Sequence, residues 1–414
     1  MEQIRDAMFA DDGGALTQLI ASHPGLKPQI DDPLFPFDQP AIVFAAGKGR
    51  RRIVDALLSA GANINVRSHW WAGGFGVLDS TGPELAAYLI ERGAIVDAHS
   101  AARLGMFDKL KAFVSADPEV VHARGGDGQT PLHFAGAVEI AEFLLDSGAD
   151  IDARDIDHES TAAQYLVQSH PEVVRCLIRR GAKTDILMAA AIGGNDLVRK
   201  HLDADPECIR MRVNEQFFPK QNPHSGGTIY TWTLGANRSP HQVASKFGHT
   251  EALGILMDRS PTDVRLINAC LLGDEPTVIA LLENHPELMQ ALPDTDRRQI
   301  SSAAEDNNTD AVRLMLTCGW PVDGGGQGPS PLHWAAWHGN AEMVRVILEH
   351  NPPLEVSNDA TFGAPPMGWA VHGSEHSWHC KTGDYAGAIR ALLAAGAKRP
   401  DTIEGSAAAR AALA

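Results

Sequence analysis

His372, Glu375, His376 and His379 bring three imidazoles and a carboxylate into one short stretch near the C-terminal end of the chain. Side chains of these types exchange protons near neutral pH or hold a transition metal. Positions 372 and 376 are four apart, so an unbroken helix would put both rings on one face. Gly373 and Ser374 weaken a helix at that point. No fixed metalloenzyme spacing is matched, so we expect neither a metal nor a cofactor. His372, His376 and His379 are simply the residues that come nearest to a ligand set. Aromatic residues surround them: Trp334, Trp337 and Trp369 come before, Trp378 lies inside the stretch, and His338 follows Trp337. Tryptophan faces suit sugar rings, aromatic rings and cations.

Two further groups have similar chemistry. One is the run from Asn214 to Trp232, which contains His224, Tyr230 and Trp232; the other is His69-Trp70-Trp71 with Asp79 a little further on. The acid–base candidates of an enzyme would be His338, His372, His376, Tyr230, Asp79 and Glu375. The contact residues of a ligand surface would be His338, His372, Tyr230, Trp334, Trp337, Trp369, Trp378, Trp232, His224, His69, Trp70 and Trp71. The chain carries no nucleophile elbow, phosphate-binding glycine loop or established metal motif, so no reaction class can be read from it.

The elements that must position these residues follow from a repeat. Gly128-Gln129-Thr130-Pro131-Leu132-His133-Phe134-Ala135 and Ser330-Pro331-Leu332-His333-Trp334-Ala335-Ala336 are two copies of one helix-turn-helix opening. Related units return about every 33 residues. The pattern resembles the ankyrin repeat, in a divergent, bacterial-type form. The resemblance implies an all-α solenoid of stacked helix-turn-helix units, one array over 1–414 with about twelve repeats. It also implies that His133 and His333 bond back to Thr130 and Ser330 as structural groups, with Gln164 and Gln242 doing the same job in the sixth and eighth repeats. In this family the residues after Ala-Ala commonly face a concave groove, which would place Trp337 and His338 there.

Second helices carry apolar residues at helical spacing, such as Ile53, Val54, Leu57 and Leu58. Gly61, Gly93, Gly148, Gly181, Gly319 and Gly396 are placed to end them in a left-handed cap. In the first, fourth, seventh and ninth repeats Pro24, Pro118, Pro206 and Pro286 take over that stop. Three segments depart from the pattern. His69 to Gly76 replaces a finger turn, and Asp79 stands where the fifth repeat has Phe134. An insertion near 213–237 enters the eighth repeat, and its β-forming run Thr228 to Leu234 predicts a short extended hairpin. A second insertion, 375–385, enters the twelfth repeat. Aligning the last two repeats predicts that Trp334 lies beside Trp369, and Trp337 beside His372.

Composition bounds the rest. The formal charge of −17 opposes binding to nucleic acid. The one compact basic run, Lys48 to Arg52, reads as a solvated turn. Cys176, Cys208, Cys270, Cys318 and Cys380 are odd in number, widely spaced and without a C-x-x-C pair, which argues against a disulfide framework and fits a reducing cytoplasm. The N-terminus lacks the pattern of a signal peptide, and no apolar run is long enough to span a membrane. The expected function is a binding protein that holds a protein partner in its concave groove and on its finger turns. The alternative is an enzyme or small-molecule receptor for a sugar or aromatic ligand, with the 213–237 insertion closing over the last two repeats.

Overall fold

A computed structural model describes residues 2–326, 328–357 and 363–414. The described chain is 57% helical, with almost no strand. Its strands are Pro33–Phe35 and Gln39–Pro40, paired antiparallel. The chain divides into two compact units, Met1–Val243 and Ala244–Ala414.

In each unit short helices pair into two packed layers. In the second unit the first helices Gln299–Glu305, Pro331–Trp337 and Pro366–His376 pack in sequence, and so do the second helices Thr309–Thr317, Ala341–Leu348 and Tyr385–Ala394. Between the layers lie Ile300, Val312, Met315, Leu332, Val344, Ile347, Ile389 and Leu392, all buried. The same logic holds in the first unit, where Leu16, Ile42, Ile53, Leu57 and Leu89 share one core. No repeat could bury such a face alone, so each is stabilised by its neighbour.

The ends of the helices are set by local chemistry. The backbone N–H of Thr130 donates to His133 Nδ1 (3.1 Å), and the other ring nitrogen meets the Ser160 carbonyl at 3.1 Å. Ser330 and His333 repeat this arrangement, with Val356 as the distant carbonyl. Gln164 and Gln242 accept from the N–H groups of Thr161 and Ser239, as the resemblance implies. Gly61 caps Arg51–Ala60 at φ 100°, a left-handed conformation that a side chain resists. Where proline takes over, the second helices end at Ser22, Ala116 and Ala204, and a 3₁₀ turn follows each.

Two elements differ from the expectation. The clearest motif copy forms a 3₁₀ turn, Pro131–Phe134, in place of an α-helix. Its second helix starts at Val138, whereas His333 is followed by a second helix at Ala341. The shortened link leaves no room for another turn. A last helix, Ala407–Leu413, packs on Tyr385–Ala394 and buries Ala409 and Leu413. Its signal was present in the Ser406 cap and the alanine run, but it lies beyond the last repeat. No helix of the described residues is long and apolar enough to cross a membrane.

Candidate functional site

Three chemically rich regions resolve into two sites, one in each unit. In the second unit the helix Pro366–His376 runs unbroken through Gly373 and Ser374. The glycine has a packing reason: a Cβ at 373 would lie 2.5 Å from the Trp337 carbonyl oxygen of the neighbouring helix. The continuous helix puts His372 and His376 on one face, with ring centroids 4.3 Å apart. Close approach of the two helices sets Trp334 against Trp369 at 5.3 Å and Trp337 against His372 at 5.9 Å. These are the two pairs that alignment of the repeats predicted.

After this helix the chain turns and carries Trp378 back over Trp337 and His338, at 6.3 and 5.8 Å. Trp378 is 72% exposed. Glu375 and His376 are also exposed, and His379 is half-buried beside His338. The result is an aromatic wall with a buried footing and an open outer face.

His338 belongs to the footing, at 2% exposed. Its Nε2–H donates to the Glu305 carbonyl at 2.9 Å, leaving a lone pair on Nδ1 that is buried and meets no donor. Burial pushes its pKa down, the Glu305 carbonyl opposes this, and His379 adds to it. Burial thus favours the neutral ring. A cleft of about 430 Å³ opens beside it, lined in part by His379, Asn340, Arg345 and Asp384.

In the first unit the 213–237 insertion folds onto the turn at 155–160. Glu159 accepts from the backbone N–H groups of Gln221 and Asn222, at 2.9 and 2.7 Å. The Ser225 hydroxyl donates to the Asp157 carbonyl at 2.6 Å, and His158 Nδ1 meets the Gly227 carbonyl at 2.8 Å. Its contacts reach the other aromatic departure as well: His224 approaches Trp71, with ring centroids 6.2 Å apart. Trp70 packs edge-on against Phe37. His69 is exposed on the same turn. Between the insertion and the repeats lies a cavity of about 360 Å³, lined in part by Arg154, His158, Glu159, Gln164, Lys183 and Lys220.

The expected hairpin at Thr228 to Leu234 is instead a helical turn, Tyr230–Thr233. The Ile229 carbonyl accepts from Trp232 and Thr233, which favours the turn over extension. The Tyr230 ring is fully buried, and its hydroxyl donates to Asp185 Oδ2 at 2.9 Å. Burial, and then the adjacent Asp185 charge, push its pKa well above the ordinary tyrosine value. Tyr230 is a structural anchor here and does not face the cavity as an acid or base. Trp232, two residues on, is 71% exposed. Asp79 is also committed: its carboxylate accepts from Arg67 at 3.0 Å and from the Gly76 N–H at 2.8 Å. Burial raises its pKa, and Arg67 and Gly76 oppose the rise.

The turn that receives the insertion carries functional chemistry that the repeat pattern does not reveal. Asp155, Asp157, His158 and Glu159 replace the glycine-rich turn of the fifth repeat, Gly126-Asp127-Gly128. Glu159 stands where that repeat has Gly128 and keeps the left-handed backbone, at φ 49° against 72°. A glutamate in that conformation is strained by about 1–3 kcal/mol. Its hold on two N–H groups of the insertion offsets the strain. The visible signal was a run of three acids and a histidine where a tight turn calls for glycine.

The chain matches a family model for ankyrin repeats in three copies, over residues 98–188, 266–358 and 300–398, together just over half of its length. It is 31% identical over 119 residues to the ankyrin repeat and SAM domain-containing protein 6 of Mus musculus, which covers 28% of this chain and 14% of that protein. To the E3 ubiquitin-protein ligase KEG of Arabidopsis thaliana it is 24% identical over 264 residues, 58% of this chain and 16% of the ligase. To the E3 ubiquitin-protein ligase XBAT33 of the same plant it is 29% identical over 160 residues, 37% of this chain and 30% of the ligase. The chain thus spans less than a third of each of these relatives. Stacked helix pairs, structural histidines bonded to Thr130 and Ser330, glycine caps and the family match all agree, and the chain belongs to the ankyrin-repeat family.

Proposed function

We propose that the chain holds a protein partner, and that the aromatic wall of the second unit is the main contact. Ankyrin repeats support partner binding in general. The observation that carries the finer reading is Trp378, 72% exposed yet braced from behind by Trp337 and His338. An exposed indole on a rigid footing loses little entropy on binding, and tryptophans dominate the energetics of interfaces. A chain of net charge −17 with tryptophan faces on offer suits a partner that presents lysine or arginine side chains.

The test is affinity enrichment from cells of the source organism with the wild-type chain, Trp378→Ala and Trp232→Ala. Trp232 is equally exposed and serves as the control. A protein recovered with the wild type and Trp232→Ala, and reduced at least about tenfold with Trp378→Ala, is the expected result, since losing a hot-spot residue costs about 2 kcal/mol or more. Equal recovery with Trp378→Ala contradicts the reading.

A further inference from the structure

The geometry points to a divalent cation site in the first unit, formed by Asp127, Asp157 and His158 and suited to a borderline first-row ion such as Zn²⁺. One oxygen from each aspartate and one imidazole nitrogen lie within 4.8 Å of one another. His158 Nδ1 meets the Gly227 carbonyl at 2.8 Å, and a carbonyl can only accept. That bond puts a proton on Nδ1, so that in the neutral tautomer Nε2 is the nitrogen available to a metal, as with the outer hydrogen bond of a metal-bound histidine. Nε2 then faces Asp157 Oδ2 at 3.7 Å. This is too long for a hydrogen bond. It is close to the separation of roughly 3.4 Å between two ligands of a tetrahedral ion with bonds of about 2.0–2.1 Å.

The charge around the site calls for a cation. Asp157 is 3% exposed, and its Oδ1 accepts from the Gly226 N–H. Its Oδ2 makes no hydrogen bond among the described residues. Asp127 Oδ1 is buried with no well-formed hydrogen bond, although the Trp70 indole N–H lies near enough to favour its ionised form. Asp155, 4% exposed, adds a third carboxylate, but its oxygens are taken by the N–H groups of His158 and Ser160 and the Tyr165 hydroxyl. No lysine or arginine forms an ion pair with Asp127 or Asp157 among the described residues. Among the described residues their one nearby cationic partner is His158, which carries charge only when protonated; burial of such carboxylates is costly, and a divalent ion would remove that cost. Two oxygens and one nitrogen, with no thiolate, favour Zn²⁺, Co²⁺ or Mn²⁺ over soft ions.

The backbone shows what such an ion would fasten. The Asp127 N–H donates to the Gly73 carbonyl, the Asp127 carbonyl accepts from Ile156 and Asp157, and the Asp157 carbonyl accepts from Gly226. The site is therefore the node at which two finger turns, the segment at 155–158 and the insertion meet. A bound ion would lock the insertion to the repeats and fix the mouth of the cavity beside it.

The test uses the full chain, stripped with chelator and titrated with Co²⁺ alone. We expect one equivalent to bind with visible d–d absorption, and excess Zn²⁺ to displace it. Asp127→Asn and His158→Gln, shown folded by circular dichroism, should each weaken binding at least tenfold, while the His372→Ala, His376→Ala double variant keeps it. Bound Zn²⁺ should also slow tryptic cleavage after Lys220 at least fivefold in the wild type and not in the variants. Absence of a Co²⁺ spectrum in the wild type overturns the proposal, and so does binding undiminished in both Asp127→Asn and His158→Gln. The wild-type titration decides even if a variant fails to fold.

Discussion

A neutral imidazole is built into the first unit at His133. Burial lowers its pKa to about 4 from an ordinary value near 6.5, with the Ser160 carbonyl opposing and Arg124 adding to the shift. The native state therefore resists a proton that the unfolded chain accepts. The stabilising contribution is complete above pH 6.5 and is lost as pH falls from 6.5 towards 4, because the unfolded state binds more protons in that window. The shift corresponds to a contribution on the order of 3 kcal/mol. Gln164 fills the same position in its own repeat and carries no titrating group. His133→Gln is thus predicted to keep the first unit folded and to flatten the fall in stability between pH 6.5 and 4. Urea unfolding at several pH values measures this, and an unchanged slope would refute the assignment. His133 was legible in the sequence because its chemistry is local, three residues from Thr130. Tyr230 was not, because Asp185 lies 45 positions away and sequence spacing carries no record of that contact.

Among the elements, the helix Pro366–His376 shows best how packing overrides propensity. Gly373 and Ser374 weaken a helix by propensity, and the helix continues because that glycine lets its backbone approach Trp337. Gly373→Ala is predicted to lose about 2–3 kcal/mol through overpacking, since the clash is with backbone, and so to be net destabilising against the roughly 1 kcal/mol that alanine gains in a helix interior. The same change should weaken the Trp337–His372 contact, so tryptophan fluorescence should shift together with the melting temperature. A variant as stable as the wild type would show that the close approach is not required. The aligned pairs Trp334–Trp369 and Trp337–His372 were readable from the repeat period alone, since aligned positions in neighbouring repeats stack. The insertion was readable as an interruption, but its course was not. Thr228 to Leu234 is rich in β-formers and still forms a helical turn, because burying Tyr230 and pairing the Ile229 carbonyl satisfy more of its groups.

For the whole molecule, the period settled the family and the two-layer packing within each unit. It was silent on where the regular repeat had been adapted. The adaptations lie at Glu159, where a strained turn holds the insertion, and at Trp378, where an indole is held open to solvent. The acidic chain should draw a basic partner at a rate that falls as salt is added. The most direct test of the central claim places a photo-crosslinking phenylalanine analogue at position 378, and separately at exposed Ile95 in the first unit as a control. One dominant protein adduct is expected from position 378 on irradiation in cells of the source organism, and none of that adduct from position 95. Adducts of equal yield from both positions, or a partner captured from position 95 alone, would contradict it.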